Sequence, residues 1–131
     1  MSLDTRHKII TLTQAGEVAE EARRRGSLPT AFVSHLEVLR AGQVRKLEDL
    51  AAANPGTLFL ILTDPESPLV SLDARAELAA ALRVVDYVIP SPDGAAPAVA
   101  AIQPAFTVYD EEEDRVRTRQ LIEHVRSRSR I

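Results

Sequence analysis

One continuous apolar run, Thr57 to Leu62, constrains the fold more than any other feature of the chain. Its residues do not alternate with polar ones, as they would in a strand that has one face in water. A run this short, preceded by the turn-forming Asn54-Pro55-Gly56, predicts a strand that is buried on both faces. Such strands occupy the middle of parallel sheets covered by helices. We therefore expect an α/β domain in which Thr57 to Leu62 is the central strand.

The rest of the chain alternates between strand and helix patterns. Further strands are predicted at Thr30 to Val33, Asp86 to Ile89 and Phe106 to Tyr109. Apolar spacing, caps and breakers predict helices at Thr13 to Arg25, Gly42 to Ala53, Ser71 to about Arg83, Ala96 to Ile102 and Arg117 to about Arg126. This order predicts one domain over all 131 residues, with a parallel sheet between two helical layers. Ligands of such sheets bind at the carboxyl ends of the strands.

Composition excludes several classes of function. The absence of cysteine excludes disulfides and thiolate nucleophiles, and His7, His35 and His124 lack the spacing of a metal motif, so no metal site is predicted. No apolar run approaches the roughly 20 residues that span a bilayer, which predicts no membrane contact. The N-terminus also lacks the layout of a signal peptide, and a cytoplasmic location is predicted.

Charge is distributed unevenly along the chain. The formal net charge is -3, but residues 115–131 carry six Arg and one Glu, so a basic tail follows an acidic body. Aromatic residues make up 4% of the chain and leave few rings to stack on bases, so no nucleic-acid partner is predicted. The acidic stretch Asp110 to Asp114 is predicted to be a solvated turn.

The segment after the first strand carries the strongest functional pattern. Arg40 and Gln43 flank Ala41-Gly42 at the start of a predicted helix, where free N–H groups and the helix dipole attract anions. Arg40 supplies a permanent positive charge and Gln43 an amide donor, while Gly42 lets a ligand approach the backbone. Taken alone, the segment allows two interpretations: a polar helix start on a surface loop, or a site that contacts phosphate groups.

This pattern resembles a known family. Val33-Ser34-His35 through Arg40-Ala41-Gly42-Gln43 is similar to the Asn-Gly and His-x-Gly-His segment of the cytidylyltransferase-like nucleotidyltransferases. Downstream, Arg75 to Val88 resembles that family's Arg-x-x-hydrophobic-Leu-x-Ala-Leu-x-x-Val-Asp-Tyr-Val run, and Thr118 matches a hydroxyl at the start of its last helix. Within the family, the resemblance is to the adenylyltransferase domain of ADP-heptose synthase and to glycerol-3-phosphate cytidylyltransferase.

The resemblance implies a three-layer Rossmann-like nucleotidyltransferase fold with a parallel sheet. It implies a reaction in which a sugar or polyol phosphate attacks the α-phosphate of ATP or CTP, with Mg accompanying the nucleotide as substrate and no tightly bound cofactor. A homodimer or a partner enzyme is also implied. Carried over position by position, the resemblance places Arg40 and Gln43 at the catalytic histidines. It places the ligand contacts at Ser34, His35, Gly42, Asp64 and Thr118.

Departures from the family pattern bear on activity. Arg40 and Gln43 replace both imidazoles, and the loss of one well-placed donor at such a site costs roughly 100- to 1000-fold in rate. The loop Pro65 to Val70 has no Lys or Arg, and acidic residues follow Tyr109 where the family has a phosphate-binding lysine. Three hypotheses follow: a diverged domain that binds a nucleotide or phosphate ligand with weak or lost catalysis, an active adenylyl- or cytidylyltransferase, and a non-catalytic scaffold subunit.

Overall fold

A computed structural model describes residues 4–129 of the chain. After a single 3-10 turn at Arg6–Lys8, strands and helices alternate along the chain. The strands are β1 (Pro29–Ser34), β2 (Thr57–Leu62), β3 (Tyr87–Pro90) and β4 (Phe106–Tyr109). The helices are α1 (Leu12–Arg24), α2 (Ala41–Ala53), α3 (Leu72–Ala80), α4 (Ala96–Ile102) and α5 (Glu111–Ser129). All predicted strands are present, and their bounds differ from the prediction by one residue at most.

The four strands form one parallel sheet in the order β3-β2-β1-β4. In its middle, Val33 of β1 is in register with Ile61 of β2, and Ile61 is in register with Ile89 of β3. β1 and β2 occupy the two inner positions, and the prediction of β2 as a central strand is therefore confirmed.

Two hydrophobic clusters cover the two faces of this sheet, and alternate residues of β2 belong to each. Leu58, Leu60 and Leu62 pack on one face with Leu47 of α2 and the alanines of α3. Phe59 and Ile61 face the other side, where α1 and α4 pack. The prediction of a three-layer Rossmann-like α/β fold with a parallel sheet is confirmed.

Local signals set the helix ends. Thr11 forms a capping box with Gln14 at the start of α1, and Gly26, at φ 80°, lies just beyond its end. The Ser71 hydroxyl accepts the backbone N–H of Ala74 and caps α3, as predicted. α3 ends at Ala80 rather than near Arg83, because the chain tightens there and the N–H of Leu82 bonds to Ala79.

The prediction for the last helix was wrong at its start. α5 begins at Glu111, six residues before Arg117, and includes the stretch predicted to be a solvated acidic turn. Acidic residues in a first turn offset the helix dipole, and Asp110 and Asp114 are buried rather than solvated. α5 contacts the body mainly through its first two turns, since residues 119–128 are exposed except for the half-buried Ile122. The first turns of α5 therefore lie against the carboxyl ends of β1 and β2.

Candidate ligand-binding site at the carboxyl edge of the sheet

The turn that leaves β1 forms a small cradle of hydrogen-bond donors. Leu36 is fully buried and adopts a left-handed conformation with φ 53°, which is uncommon for a residue other than glycine. Consecutive backbone N–H groups in such a turn converge and make an anion-binding concavity. Here the His35 N–H donates to Oδ2 of Asp114 at 2.9 Å, whereas the Leu36 N–H donates to Oγ of Ser34 at 3.1 Å and lies 3.5 Å from the same Asp114 oxygen. The Ser34 hydroxyl donates to that oxygen as well.

Gln43 extends this group of donors from the first turn of α2. Its side chain is buried, and its Nε2 lies 3.0 Å from Oδ2 of Asp110 and 3.0 Å from Oδ1 of Asp114. Nε2 is also 3.3 Å from the Ser34 hydroxyl oxygen. Two carboxylates of the α5 start thus engage the amide donor that the sequence analysis assigned to a phosphate.

Two cations balance these carboxylates. Lys46 Nζ lies 2.8 Å from Asp110 Oδ1 and 2.8 Å from Glu113 Oε2. Arg117 Nη2 lies 2.8 Å from Asp110 Oδ2 and 2.6 Å from Asp114 Oδ1. We call the group of Ser34, Gln43, Lys46, Asp110, Asp114 and Arg117 the carboxylate network.

The carboxylate network shifts the pKa values of three of its members, Asp110, Lys46 and Arg117. Burial alone would raise the pKa of Asp110, but hydrogen bonds from Lys46 and Arg117 outweigh it and lower that pKa below its ordinary value. Burial would lower the pKa of Lys46, and its pairing with Asp110 and Glu113 raises it instead. The pKa of Arg117 is likewise raised by its two aspartates against the effect of burial. These three groups are therefore ionised at neutral pH.

Arg75 organises the neighbouring strand ends. It is almost fully buried on α3 and donates from Nη1 to the carbonyl oxygens of His35 at 2.8 Å and Thr63 at 3.0 Å. Its Nε donates to the carbonyl of Val70 at 3.0 Å, and Nη2 forms an ion pair with Asp64. Arg75 thus fastens the carboxyl ends of β1 and β2 to each other.

Beside the network lies a cavity of about 420 Å³, which we call the arginine pocket. His35 at the end of β1 and Pro65 to Ser67 after β2 form one side, and α5 forms the other. The helix contributes Arg115, Thr118, Arg119, Ile122, Glu123 and Arg126, and Glu37 completes the lining. The spacing of Arg115, Arg119 and Arg126 by four and seven residues puts the three guanidinium groups on one stripe of the helix.

The lining of the arginine pocket is chemically mixed. Arg115 pairs with Glu112 at 2.7 Å, whereas Arg119 and Arg126 have no ion pair within residues 4–129. The lining also includes three glutamates, Glu37, Glu66 and Glu123. Of these, Glu37 already accepts hydrogen bonds from the backbone N–H groups of Leu69 and Val70. The pocket combines cations that can bind an anion with carboxylates that can accept hydroxyl groups.

The structure divides the predicted site residues among four environments. His35 and Thr118 line the arginine pocket together. Ser34 and Gln43 belong to the carboxylate network, and Asp64 is paired with Arg75. Arg40 and Gly42 are exposed at the start of α2, where Arg40 is the N-cap residue without a side-chain capping bond. Ligand contact by these residues stays a prediction.

Sequence reasoning did not include among the predicted site residues those that dominate the site's electrostatics: Asp110, Asp114, Lys46, Arg117 and Arg75. A signal existed on α5, since Asp114 and Arg117 are three residues apart and Glu113 and Arg117 are four apart, the spacings of helical ion pairs. The contacts of Asp110 and Asp114 with Gln43 join residues 67 and 71 positions apart. No local pattern reports such contacts.

A larger cavity of about 540 Å³ lies at the opposite edge of the sheet. It includes Lys8, Arg25, Arg83 and Asp86 near the amino ends of β2 and β3. Ligands of parallel α/β sheets bind at the carboxyl edge, so the smaller arginine pocket is the better functional candidate. Among residues 4–129, no group of three or more His, Asp or Glu is placed to hold a metal ion. Nor does this part of the chain contain a helix of the length and apolarity that a membrane span requires.

Comparison with known proteins identifies the fold. The structure is similar to the crystal structure of the lipopolysaccharide core biosynthesis protein from Thermoplasma volcanium GSS1, with a TM-score of 0.58 and 19% sequence identity. The two share a fold. The similarity covers 76% of this chain and 89% of the other. No family profile matches the sequence, and no curated protein matches it.

Proposed function

We propose that this protein is a diverged domain of the nucleotidyltransferase type that binds a sugar or polyol phosphate and does not transfer nucleotides. One observation carries the proposal. The donors of the β1–α2 turn, namely the Ser34 hydroxyl, the His35 N–H and the Gln43 amide, are already engaged by Asp110 and Asp114.

Nucleotidyl transfer requires free donors where negative charge develops on the reacting phosphate. A nucleotide phosphate at this turn would meet the buried carboxylates of Asp110 and Asp114, and like charges repel strongly in a partly buried site. Arg40 is exposed and makes no side-chain capping bond, but a single exposed cation does not replace a fixed pair of donors. These facts support loss of the transfer reaction.

The arginine pocket supports retention of ligand binding. Its volume of about 420 Å³ falls within the range of small-molecule sites, roughly 300 to 1000 Å³. Arg119 and Arg126 suit a phosphate group, which guanidinium groups bind in bidentate fashion. The carboxylates of Glu66 and Glu123 suit sugar or polyol hydroxyls, and Ile122 offers an apolar surface to a carbon skeleton. A phosphorylated polyhydroxy compound matches all three features.

Calorimetry with glycerol 3-phosphate and ribose 5-phosphate tests the binding, alongside ATP and CTP with and without magnesium. An Arg119→Ala, Arg126→Ala double variant is expected to weaken sugar-phosphate binding by about tenfold or more, about 1.4 kcal/mol. The matched control is Arg45→Ala, because Arg45 is exposed on α2 and lies outside the pocket. Equal affinity in the double variant and the control would reject the arginine pocket as the site.

The active-transferase alternative has a separate assay. Protein incubated with radiolabelled ATP or CTP, magnesium and the sugar phosphate is expected to form no nucleotidyl product and release no pyrophosphate. Product formation that disappears in an Arg40→Ala variant would establish catalysis at the α2 turn and contradict the proposed loss of activity. A non-catalytic scaffold without ligands would bind none of the compounds.

A further inference from the structure

We infer that the cavity at the amino edge of the sheet is a second ligand site, and that it binds a compact anion with two or more negative charges. We call it the amino-edge cavity; its volume is about 540 Å³, and it lies where β2 and β3 begin. β2 has six residues, so about 20 Å of strand separate this cavity from the arginine pocket at the other edge. The inference therefore concerns a site that is independent of the proposed function.

The charge of the lining is the first argument. Lys8, Arg25 and Arg83 line the cavity and carry three positive charges, against one negative charge on Asp86. The whole protein has a formal net charge of -3, so the sign of the charge is reversed at this place. In the arginine pocket, by contrast, three arginines are accompanied by three glutamates. A multivalent anion is therefore attracted more strongly to the amino-edge cavity than to the arginine pocket.

The two arginines of the cavity are available to a ligand. Arg83 is exposed and forms no ion pair within residues 4–129. Arg25 Nε lies 3.8 Å from Oε1 of Glu21, and both side chains are more than half exposed. Such an exposed pair contributes little to stability, so Arg25 can exchange Glu21 for a bound anion at low cost.

Lys8 is the least exposed of the three cations. Its Nζ donates to the carbonyl oxygens of Leu82 at 3.2 Å and Val85 at 2.9 Å, which holds the ammonium group in one position. An ammonium group has three N–H donors, so one is left for a ligand. Lys8 also has no carboxylate partner in the described part of the chain. A bound anion would supply the charge partner that this half-buried cation lacks.

Hydroxyl groups add further donors to the lining. Ser27 Oγ and Thr57 Oγ1 lie 2.7 Å apart, and both residues line the cavity. One hydroxyl hydrogen joins the two oxygens. Neither hydroxyl forms another hydrogen bond within the described residues, so the second hydrogen can be donated to a ligand. Guanidinium, ammonium and hydroxyl donors together suit the oxygens of phosphate and carboxylate groups.

Contacts within the protein hold the cavity in shape without a ligand. Oδ2 of Asp86 accepts the backbone N–H of Leu58 at 2.7 Å, which ties the residue before β3 to β2. The ring of Tyr87, also in the lining, stacks on Phe59 with the ring centroids 5.4 Å apart. The single carboxylate of the lining is thus already engaged by the backbone. A site formed in advance loses little conformational freedom when a ligand binds.

The test is a titration of the full chain with citrate and, separately, with inorganic tripolyphosphate at constant ionic strength, followed by backbone amide chemical shifts. Saturable shifts of the Ser27, Gly56 and Thr57 amides are expected. A response to citrate alone would identify a polycarboxylate as the ligand class, and a response to tripolyphosphate alone would identify a phosphorylated compound. The absence of saturable shifts at these amides with both probes would overturn the inference.

An Arg25→Gln, Arg83→Gln double variant is expected to weaken the binding by about tenfold or more, because two charge-assisted contacts are lost. Both side chains are exposed, so the variant should stay folded. The matched control is Arg24→Gln, Arg45→Gln, which removes two exposed positive charges outside the cavity. Equal weakening in the two double variants would show a general charge effect and reject the site.

The Arg119→Ala, Arg126→Ala variant separates the amino-edge cavity from the arginine pocket. It removes cations from the pocket only, so the shifts of the Ser27, Gly56 and Thr57 amides are expected to be unchanged. Saturable shifts that are confined to residues 115–126 of the unaltered protein would place the anion in the arginine pocket and contradict the inference. Sugar-phosphate binding by the arginine pocket is measured apart from these amides, so either site can fail without the other.

Discussion

The Nη1 atom of Arg75 donates to the carbonyl oxygen of His35 at 2.8 Å, so a charged side chain on α3 holds the residue that follows β1. The same atom reaches the Thr63 carbonyl oxygen at the end of β2. One guanidinium group thus binds the residues that directly follow both strands, His35 and Thr63. This contact adds to the backbone pairing of β1 with β2, in which the Thr63 N–H donates to the Ser34 carbonyl oxygen at 3.1 Å.

Replacement of Arg75 by Met is expected to lower the free energy of unfolding by about 2 to 4 kcal/mol, because buried carbonyl oxygens lose their donors. The Asp64 side chain, which is 32% exposed, would lose its ion-pair partner, but water can hydrate its carboxylate instead. Urea denaturation measures the change. Arg83→Ala, at an exposed arginine just beyond α3, should stay within about 0.5 kcal/mol of the unaltered protein. A similar loss in both variants would contradict the anchoring role of Arg75.

Asp110 predicts an acid-sensitive contribution to stability. Its pKa in the folded protein is lowered from the ordinary value of 3.8, so its ionised form stabilises the fold above that value. This contribution is lost as the pH falls through the lowered pKa. An Asp110→Asn variant is expected to be less stable at pH 7 and to show a flatter stability profile below about pH 4. Unfolding free energies measured across this range, with Asp93→Asn as control, check the difference; parallel profiles would argue against it.

Gln43→Glu changes the network by one charge at constant shape. The new carboxylate would face Asp110 and Asp114, each now 3.0 Å from Nε2, and repulsion is expected to cost about 2 to 4 kcal/mol at pH 7. Repulsion and burial would raise the pKa of the introduced carboxyl group in the folded state, so stability should recover as the pH falls below that raised pKa. Thermal denaturation at pH 7 and pH 5 measures the recovery. Gln120→Glu, on the exposed face of α5, should show no such dependence.

Alanine substitutions at two glycines are expected to change the stability of the protein in opposite directions. Gly42 lies in the first turn of α2 with nothing within 4 Å of an added Cβ, so Gly42→Ala should raise stability by about 0.5 to 1 kcal/mol. At Gly56 an added Cβ would overlap the backbone oxygen of Leu28, which the backbone cannot accept without a shift. Gly56→Ala should therefore destabilise the protein clearly, as measured by thermal denaturation.

Gly42→Ala also tests whether the ligand binds at the start of α2 or in the arginine pocket. A methyl group at Gly42 would obstruct a phosphate at the α2 turn, whereas the arginine pocket does not include this residue. Sugar-phosphate affinity measured by calorimetry should be unchanged in the variant. A clear loss of affinity in the variant would indicate that the ligand binds at the start of α2 and not in the arginine pocket.

Strands and most helices could be predicted because their signals are local. Thr57 to Leu62 is apolar at every position after Thr57, the pattern of a strand buried on both faces, and its short length and the preceding turn favour strand over helix. Gly26, Ser71 and the turn before β2 gave boundaries because glycine and capping hydroxyls act on adjacent residues. The start of α5 was missed, because Glu111 to Asp114 contains no apolar residue from which helical periodicity could be read.

The site was harder to predict than the fold. The sequence placed His35 and Thr118 at the carboxyl edge, where they do share one pocket. It did not show that Gln43 would contact Asp110 and Asp114. A glutamine amide at this position can donate to a phosphate or to a carboxylate, and the sequence around it is the same in both cases. The choice between these partners depends on where α5 lies, and that is fixed by contacts between distant parts of the chain.

Because α5 is attached by its first two turns, we expect two separate timescales of amide hydrogen exchange in the molecule. Amides of β1 and β2, enclosed between two hydrophobic layers, should exchange only when the whole domain unfolds. Amides in residues 119–128 should exchange by local fraying, since this segment is largely exposed. One wall of the arginine pocket is therefore expected to belong to a weakly protected part of the fold. A ligand that bridges Arg119 and Arg126 to the body would slow exchange in this segment and leave the sheet unchanged.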